Sequence, residues 1–125
     1  MKKEYSILVK TGDVYHAGTS AKVYIKLHDV NGKVVSFRLD NKDKNDFERN
    51  QSDGFTVSTE EMIGDIRQIE MCHDNSGPAS GWFLDFVVVV DLSDQNTYKA
   101  NFDMWLKESQ LSHTVDVQPM NVVCA

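Results

Sequence analysis

Val23-Tyr24-Ile25-Lys26-Leu27-His28-Asp29-Val30-Asn31-Gly32-Lys33-Val34-Val35-Ser36-Phe37-Arg38-Leu39 is the stretch that decides the fold. Val23, Ile25 and Leu27 alternate with Tyr24, Lys26 and His28, the period-two pattern of a strand with one face buried. Asn31-Gly32 then supplies two residues that tolerate positive φ, a strong hairpin signal. The chain returns through Val34 to Leu39, again rich in β-branched and aromatic residues.

The same period extends outward in both directions. Tyr5, Ile7 and Val9 alternate with Ser6, Leu8 and Lys10, before a turn at Thr11-Gly12-Asp13. Further strands are expected at Phe55–Ser58, Ile66–Cys72 (irregular enough to suggest a bulge), Trp82–Leu92 and Tyr98–Phe102, with a last edge strand at Val115–Val117. Thr59–Met62 and Met104-Trp105-Leu106 are each expected to form no more than one helical turn. No stretch carries strong helical periodicity. Seven or eight short strands at this spacing predict an all-β sandwich, with polar loops gathered at its two ends. Three of those loops, around Gly18, Asp43 and Asn75, are expected to share one end.

The chain has 125 residues, a single domain's worth, with 41% hydrophobic and 26% charged residues. The core is expected over about residues 4–118, with a frayed C-terminal tail. The formal charge of -6 argues against nucleic acid as a partner and disfavours unassisted binding to anionic lipid. Two cysteines, Cys72 and Cys124, make no disulfide framework and fit a reducing, cytoplasmic compartment. The apolar run after Met1-Lys2-Lys3 is too short for a signal peptide, and Val87–Val90 is too short to span a bilayer.

Asp40 to Asp53 is the longest stretch that is not a buried strand. Its bland reading is a solvated loop. Its chemical reading is a set of carboxylate and amide oxygens for a hard cation such as calcium, which takes about six to eight oxygen ligands. Lys42 and Lys44 interleave with the acids and partly neutralise them. Phe47 reads as a core anchor, Glu48 and Arg49 as structural partners at the loop base, and Trp82 as core. No histidines pair at metal-ligand spacing, no Gly-x-Ser-x-Gly elbow is present, and no helix follows Gly12, Gly18 or Gly32 to make a phosphate loop. No constellation for nucleophilic or metal chemistry emerges, and a non-catalytic domain is expected.

Tyr5-x-Ile7-x-Val9-x-Thr11-Gly12 followed by Ala17-Gly18-Thr19-x-Ala21-x-Val23-Tyr24-Ile25 resembles the start of a PLAT domain, the lipoxygenase homology or LH2 domain. Asp46-Phe47-Glu48-Arg49-Asn50 with Asp53 and Phe55 resembles that family's middle motif. Gly64-Asp65-Ile66 and His73-Asp74-Asn75-Ser76-Gly77 with Trp82 resemble a later one, and Phe102-x-x-x-Trp105-Leu106 the closing one. The closest likeness is to the PLAT domains of polycystin-1-type and multi-repeat lipoxygenase-homology proteins.

The resemblance implies two four-stranded antiparallel sheets and a monomeric targeting module that binds membrane phospholipids peripherally. Its alternative is a protein-interaction domain needing neither lipid nor calcium. In calcium-binding members, loop oxygens at one end of the sandwich hold the ion. Carried over, that implies the Gly18 backbone, Asp40, Asn41, Asp43 and Asp46, with Asp74 in the third loop. His16 and Ser20 stand where acids are expected, and one extra residue separates Asp40-Asn41 from Asn45-Asp46, so any site is expected to be weak. Tyr15 and His16 match positions implied to meet membrane, and a tyrosine suits the interface because its ring lies in the headgroup region while its hydroxyl stays wet. Trp105 corresponds to a tryptophan of some lipoxygenases and reads either as a membrane contact or as a buried closing residue. Lys22, Lys26 and Arg38 are the residues expected to give a sheet face a basic patch for a protein partner.

Overall fold

The computed structural model describes residues 3–41, 45–60 and 62–120. Eight strands run β1 (Lys3–Thr11), β2 (Val23–Asp29), β3 (Val34–Leu39), β4 (Ser52–Thr59), β5 (Ile66–His73), β6 (Trp82–Asp91), β7 (Thr97–Leu106) and β8 (Ser112–Asp116). They form two four-stranded sheets, ordered β4-β1-β6-β7 and β3-β2-β5-β8, with every pairing antiparallel. The alternation seen in the sequence is what buries one face of each sheet. Tyr5, Ile7 and Val9 of β1 and Val23, Ile25 and Leu27 of β2 all point into the shared core.

The order of strands fixes where the loops go. Segments 12–22, 40–51, 74–81 and 107–111 all connect strands at one end, called here the loop end. Segments 30–33, 60–65 and 92–96 connect them at the other, the far end.

Two local departures shape the loop end. Lys10 faces Phe86 while Thr11 faces Leu84, leaving Asp85 as the extra residue of a bulge in β6. The bulge reverses the parity of the strand, so Trp82 and Leu84 before it and Val87 and Val89 after it all face the core. Across from it, β7 carries its own irregularity, with Asp103 at φ 47°. Met104-Trp105-Leu106 is therefore not a helical turn but the last part of β7, paired with Trp82–Leu84. Asp53 is a second correction. It continues β4 rather than the polar loop, and it is fully buried.

The far end is tied by buried polar groups. Asp29 caps the β2–β3 hairpin, its carboxylate accepting from the N–H groups of Asn31 (2.9 Å), Lys33 (2.8 Å) and Gly64 (2.8 Å). Gly32, at φ 85°, makes the turn itself. Burial alone would raise the Asp29 carboxyl, but the N–H groups of Gly64, Lys33 and Asn31 outweigh it and hold the pKa below the usual carboxylate range. A pKa depressed in the fold means stability that is present above the unfolded value of about 3.9 and lost as pH falls through the folded one. Urea unfolding as a function of pH is expected to show that loss below about pH 4, and Asp29→Asn to flatten it. An unchanged acid slope in the variant would contradict the capping role.

Candidate lipid-facing groove at the loop end

The loop end is organised around Phe47. Its ring is buried, edge-on to Trp82 (centroids 5.3 Å apart) and stacked on Phe55 (5.7 Å). Its backbone is held at φ 62°, a strained conformation for a residue with a Cβ. The surroundings enforce it. The Phe47 N–H donates to the buried Asp53 carboxylate (2.8 Å), and the Phe47 carbonyl accepts from the Thr19 N–H (3.1 Å). Gln51 steadies Asp53 from the other side, its amide donating at 2.6 Å. Trp82 in turn donates its indole N–H to the Thr11 hydroxyl (3.0 Å), as a buried tryptophan requires.

The three predicted loops do meet here. The Thr19–Phe47 bond joins the first to the second, and the Ser20 N–H donates to the Ala79 carbonyl (2.9 Å), joining the first to the third. The contacts are close enough to require glycine. A Cβ on Gly18 would lie 2.8 Å from the Phe47 carbonyl oxygen, and one on Gly77, already at φ 82°, would lie 2.6 Å from the Ser20 hydroxyl. Between the loops lies an open groove of about 1090 Å³.

Eight of the sequence-predicted residues line it: Tyr15, His16, Gly18, Lys22, Arg38, Asp40, Asp46 and Trp105. Tyr15 is 76% exposed at the lip, its ring against His16, whose backbone is also left-handed (φ 60°). Trp105 is half-buried, edge-on to Phe83 (5.4 Å), with the Lys107 ammonium over its ring (5.0 Å). Arg49 and Lys107 also line the groove and add positive charge that sequence reasoning did not assign. Arg49 pairs with Asp13 at 3.0 Å.

The acids have structural partners. Asp46 accepts from the Asn41 N–H (2.7 Å) and the Asn41 side-chain amide (3.0 Å), closing the base of the second loop. Asp40 lies 3.8 Å from Arg38. Asp74 caps the third loop, accepting from the N–H groups of Lys22 (3.0 Å) and Ser76 (3.0 Å). The Ser76 hydroxyl first, then those N–H groups, hold its carboxyl below the usual range. Asp74 and Lys26 do not line the groove; Lys26 sits on the outer face of its sheet, 3.9 Å from Glu70. Asp43 lies outside the described residues. Among the described residues, no group of three or more His, Cys, Asp or Glu side chains is placed to hold a metal ion. The donor chemistry still suits a hard cation in kind. Among the described residues, each Asp46 oxygen accepts one N–H, and loop carbonyls are at hand.

Comparison with known proteins agrees with this architecture. Residues 5–117 match the model of the PLAT/LH2 domain family. The chain is 36% identical over 107 residues to mouse lipoxygenase homology domain-containing protein 1, covering 85% of this chain and 5% of that protein. It is 36% identical over 103 residues to human polycystin-1, covering 82% of this chain and 2% of that protein. Among solved structures it is similar to coral 8R-lipoxygenase, described as activated by calcium through a C2-like domain, with a TM-score of 0.77 and 28% identity over 93% of this chain and 17% of that one. The chain thus spans a small fraction of each of these relatives. From its first strand to its last, it belongs to the PLAT/LH2 domain family.

Proposed function

We propose that this PLAT domain is a non-catalytic, monomeric module that targets its host to the cytoplasmic face of a membrane by peripheral contact of the loop end with phospholipid. The observation that carries this is the groove: three loops converge on an open cleft with an exposed Tyr15 and a half-buried Trp105 beside Lys22, Arg38, Arg49 and Lys107. Aromatic rings with polar tips suit the headgroup layer, and clustered cations near a surface attract anionic lipid even on an acidic protein.

Calcium belongs to this reading as a weak assistant. Asp40 and Asp46 with loop oxygens near Gly18 would hold it, and its charge would offset local acidity where the lipid phosphate approaches. Sedimentation with phosphatidylserine-containing vesicles tests both parts. Binding is expected to fall severalfold with Tyr15→Ser, and to fall with EGTA and with Asp46→Asn. Equal binding with and without EGTA removes calcium, and no binding to any vesicle removes the membrane reading. The rival protein-binding patch is divided, since Lys22 and Arg38 line the groove while Lys26 sits on the outer face of its sheet near Glu70.

A further inference from the structure

The far end of the sandwich differs in chemistry from the loop end. Of the eight exposed large apolar side chains among the described residues, five lie there: Val30, Val34, Met62, Leu92 and Met120. Three of them, Val30, Met62 and Leu92, share one framework. Asp29 ties the segment carrying Val30 to Gly64, two residues from Met62, and Lys3 bridges the Ile63 carbonyl (3.0 Å) and Asp91 (2.8 Å). The Leu92 N–H donates to the Glu4 carbonyl (3.0 Å), which brings Leu92 onto the same framework. An apolar surface held on such a framework is already ordered before anything docks, which lowers the entropy lost on binding.

Among the described residues, the exposed charges around it are mainly negative: Glu4, Glu60, Asp65 and Asp94, against Lys33 and Arg67. An acidic surface is repelled by anionic lipid, so this end is unsuited to the membrane contact assigned to the other. Apolar contact ringed by carboxylates complements a segment with the opposite pattern.

We propose that the far end is a protein-docking surface for a cationic amphipathic segment, its apolar side chains covering Val30, Met62 and Leu92 and its lysines or arginines facing Glu4, Glu60, Asp65 and Asp94. Such a partner would be engaged on the side of the domain opposite the groove.

The test uses the full chain and a leucine–lysine peptide of about 18 residues patterned as an amphipathic helix, with a scrambled peptide of the same composition as control. The expected result is amide chemical-shift changes centred on residues 30, 62–65 and 92–94. Affinity should fall at least tenfold for the scrambled peptide, for Leu92→Asp and for the pair Asp65→Lys with Asp94→Lys. All three positions are exposed, but Asp94→Lys also removes the acceptor of the Asn96 N–H (2.9 Å), so circular dichroism establishes that each variant is folded at the binding temperature before affinities are compared. Equal binding of patterned and scrambled peptides, shifts centred on the loop-end acids, or no shifts at all would each overturn the proposal. Because the shifts report position, the outcome is separate from that of vesicle binding, which concerns the opposite end.

Discussion

Phe47→Ala will lower the unfolding free energy by about 3–5 kcal/mol, the range for removing a buried phenylalanine. The ring fills the space between Trp82 and Phe55, and no neighbouring loop is free to collapse into it, because Gly18 already lies against the Phe47 carbonyl. The same change will reduce vesicle binding, since the groove walls are hung on this residue. A second substitution separates packing from backbone strain. Phe47→Gly removes the same ring but also the Cβ that resists φ 62°, a relief of about 1–2 kcal/mol set against the larger entropy of glycine in the unfolded chain. The glycine variant is therefore expected to be no less stable than the alanine variant. Chemical denaturation at neutral pH decides both points. A glycine variant clearly less stable than alanine would show that the left-handed backbone is not strained.

Lys3→Met is the second large effect expected. Lys3 and Asp91 are both buried and 2.8 Å apart, with Asp91 also accepting from the Ser93 N–H (2.9 Å) and hydroxyl (2.7 Å). Burial would raise the Asp91 carboxyl, yet Lys3 and Ser93 together hold it below the usual range. Removing the ammonium leaves a buried carboxylate without its cation, a loss of about 3–5 kcal/mol. Replacing both partners, Lys3→Met with Asp91→Leu, is expected to recover part of that loss, though the Ser93 N–H then lacks its acceptor. A Lys3→Met variant within about 0.5 kcal/mol of wild type would mean that the pair is hydrated and contributes little.

The sandwich was legible because it rests on period-two patterning and turn chemistry. Tyr5–Val9, Val23–Leu27 and the Asn31-Gly32 turn state their faces in one dimension, and the structure repeats them. What failed to read were places where the period breaks. Val87-Val88-Val89-Val90 is apolar at every position, so nothing in it reveals the parity change at Asp85 that brings both Trp82 and Val87 inward. The β7 irregularity at Asp103 disguised the end of that strand as a helical turn.

The site was legible in kind more than in detail. Strand order alone brings the Gly18, Asp40–Asp46 and Asn75 loops to one end. Which acid does structural work depends on distant partners: buried Asp53 holds the Phe47 N–H, and exposed Asp74 caps its own loop onto Lys22. Composition cannot separate such carboxylates from ion ligands. Lys107 lies in no motif, and Arg49 lies in one that states only a structural role; both line the groove through the packing of loops far apart in sequence.

The chain's two tryptophans allow the membrane orientation to be read directly. Trp82 is fully buried, while Trp105 lines the groove, so quenching by lipids brominated along the acyl chain reports chiefly on Trp105. With phosphatidylserine-containing vesicles in calcium, strong quenching is predicted for the native chain, and near-complete loss of it for the vesicle-bound fraction of Trp105→Phe. Vesicle binding with no quenching of Trp105 would contradict contact through the loop end.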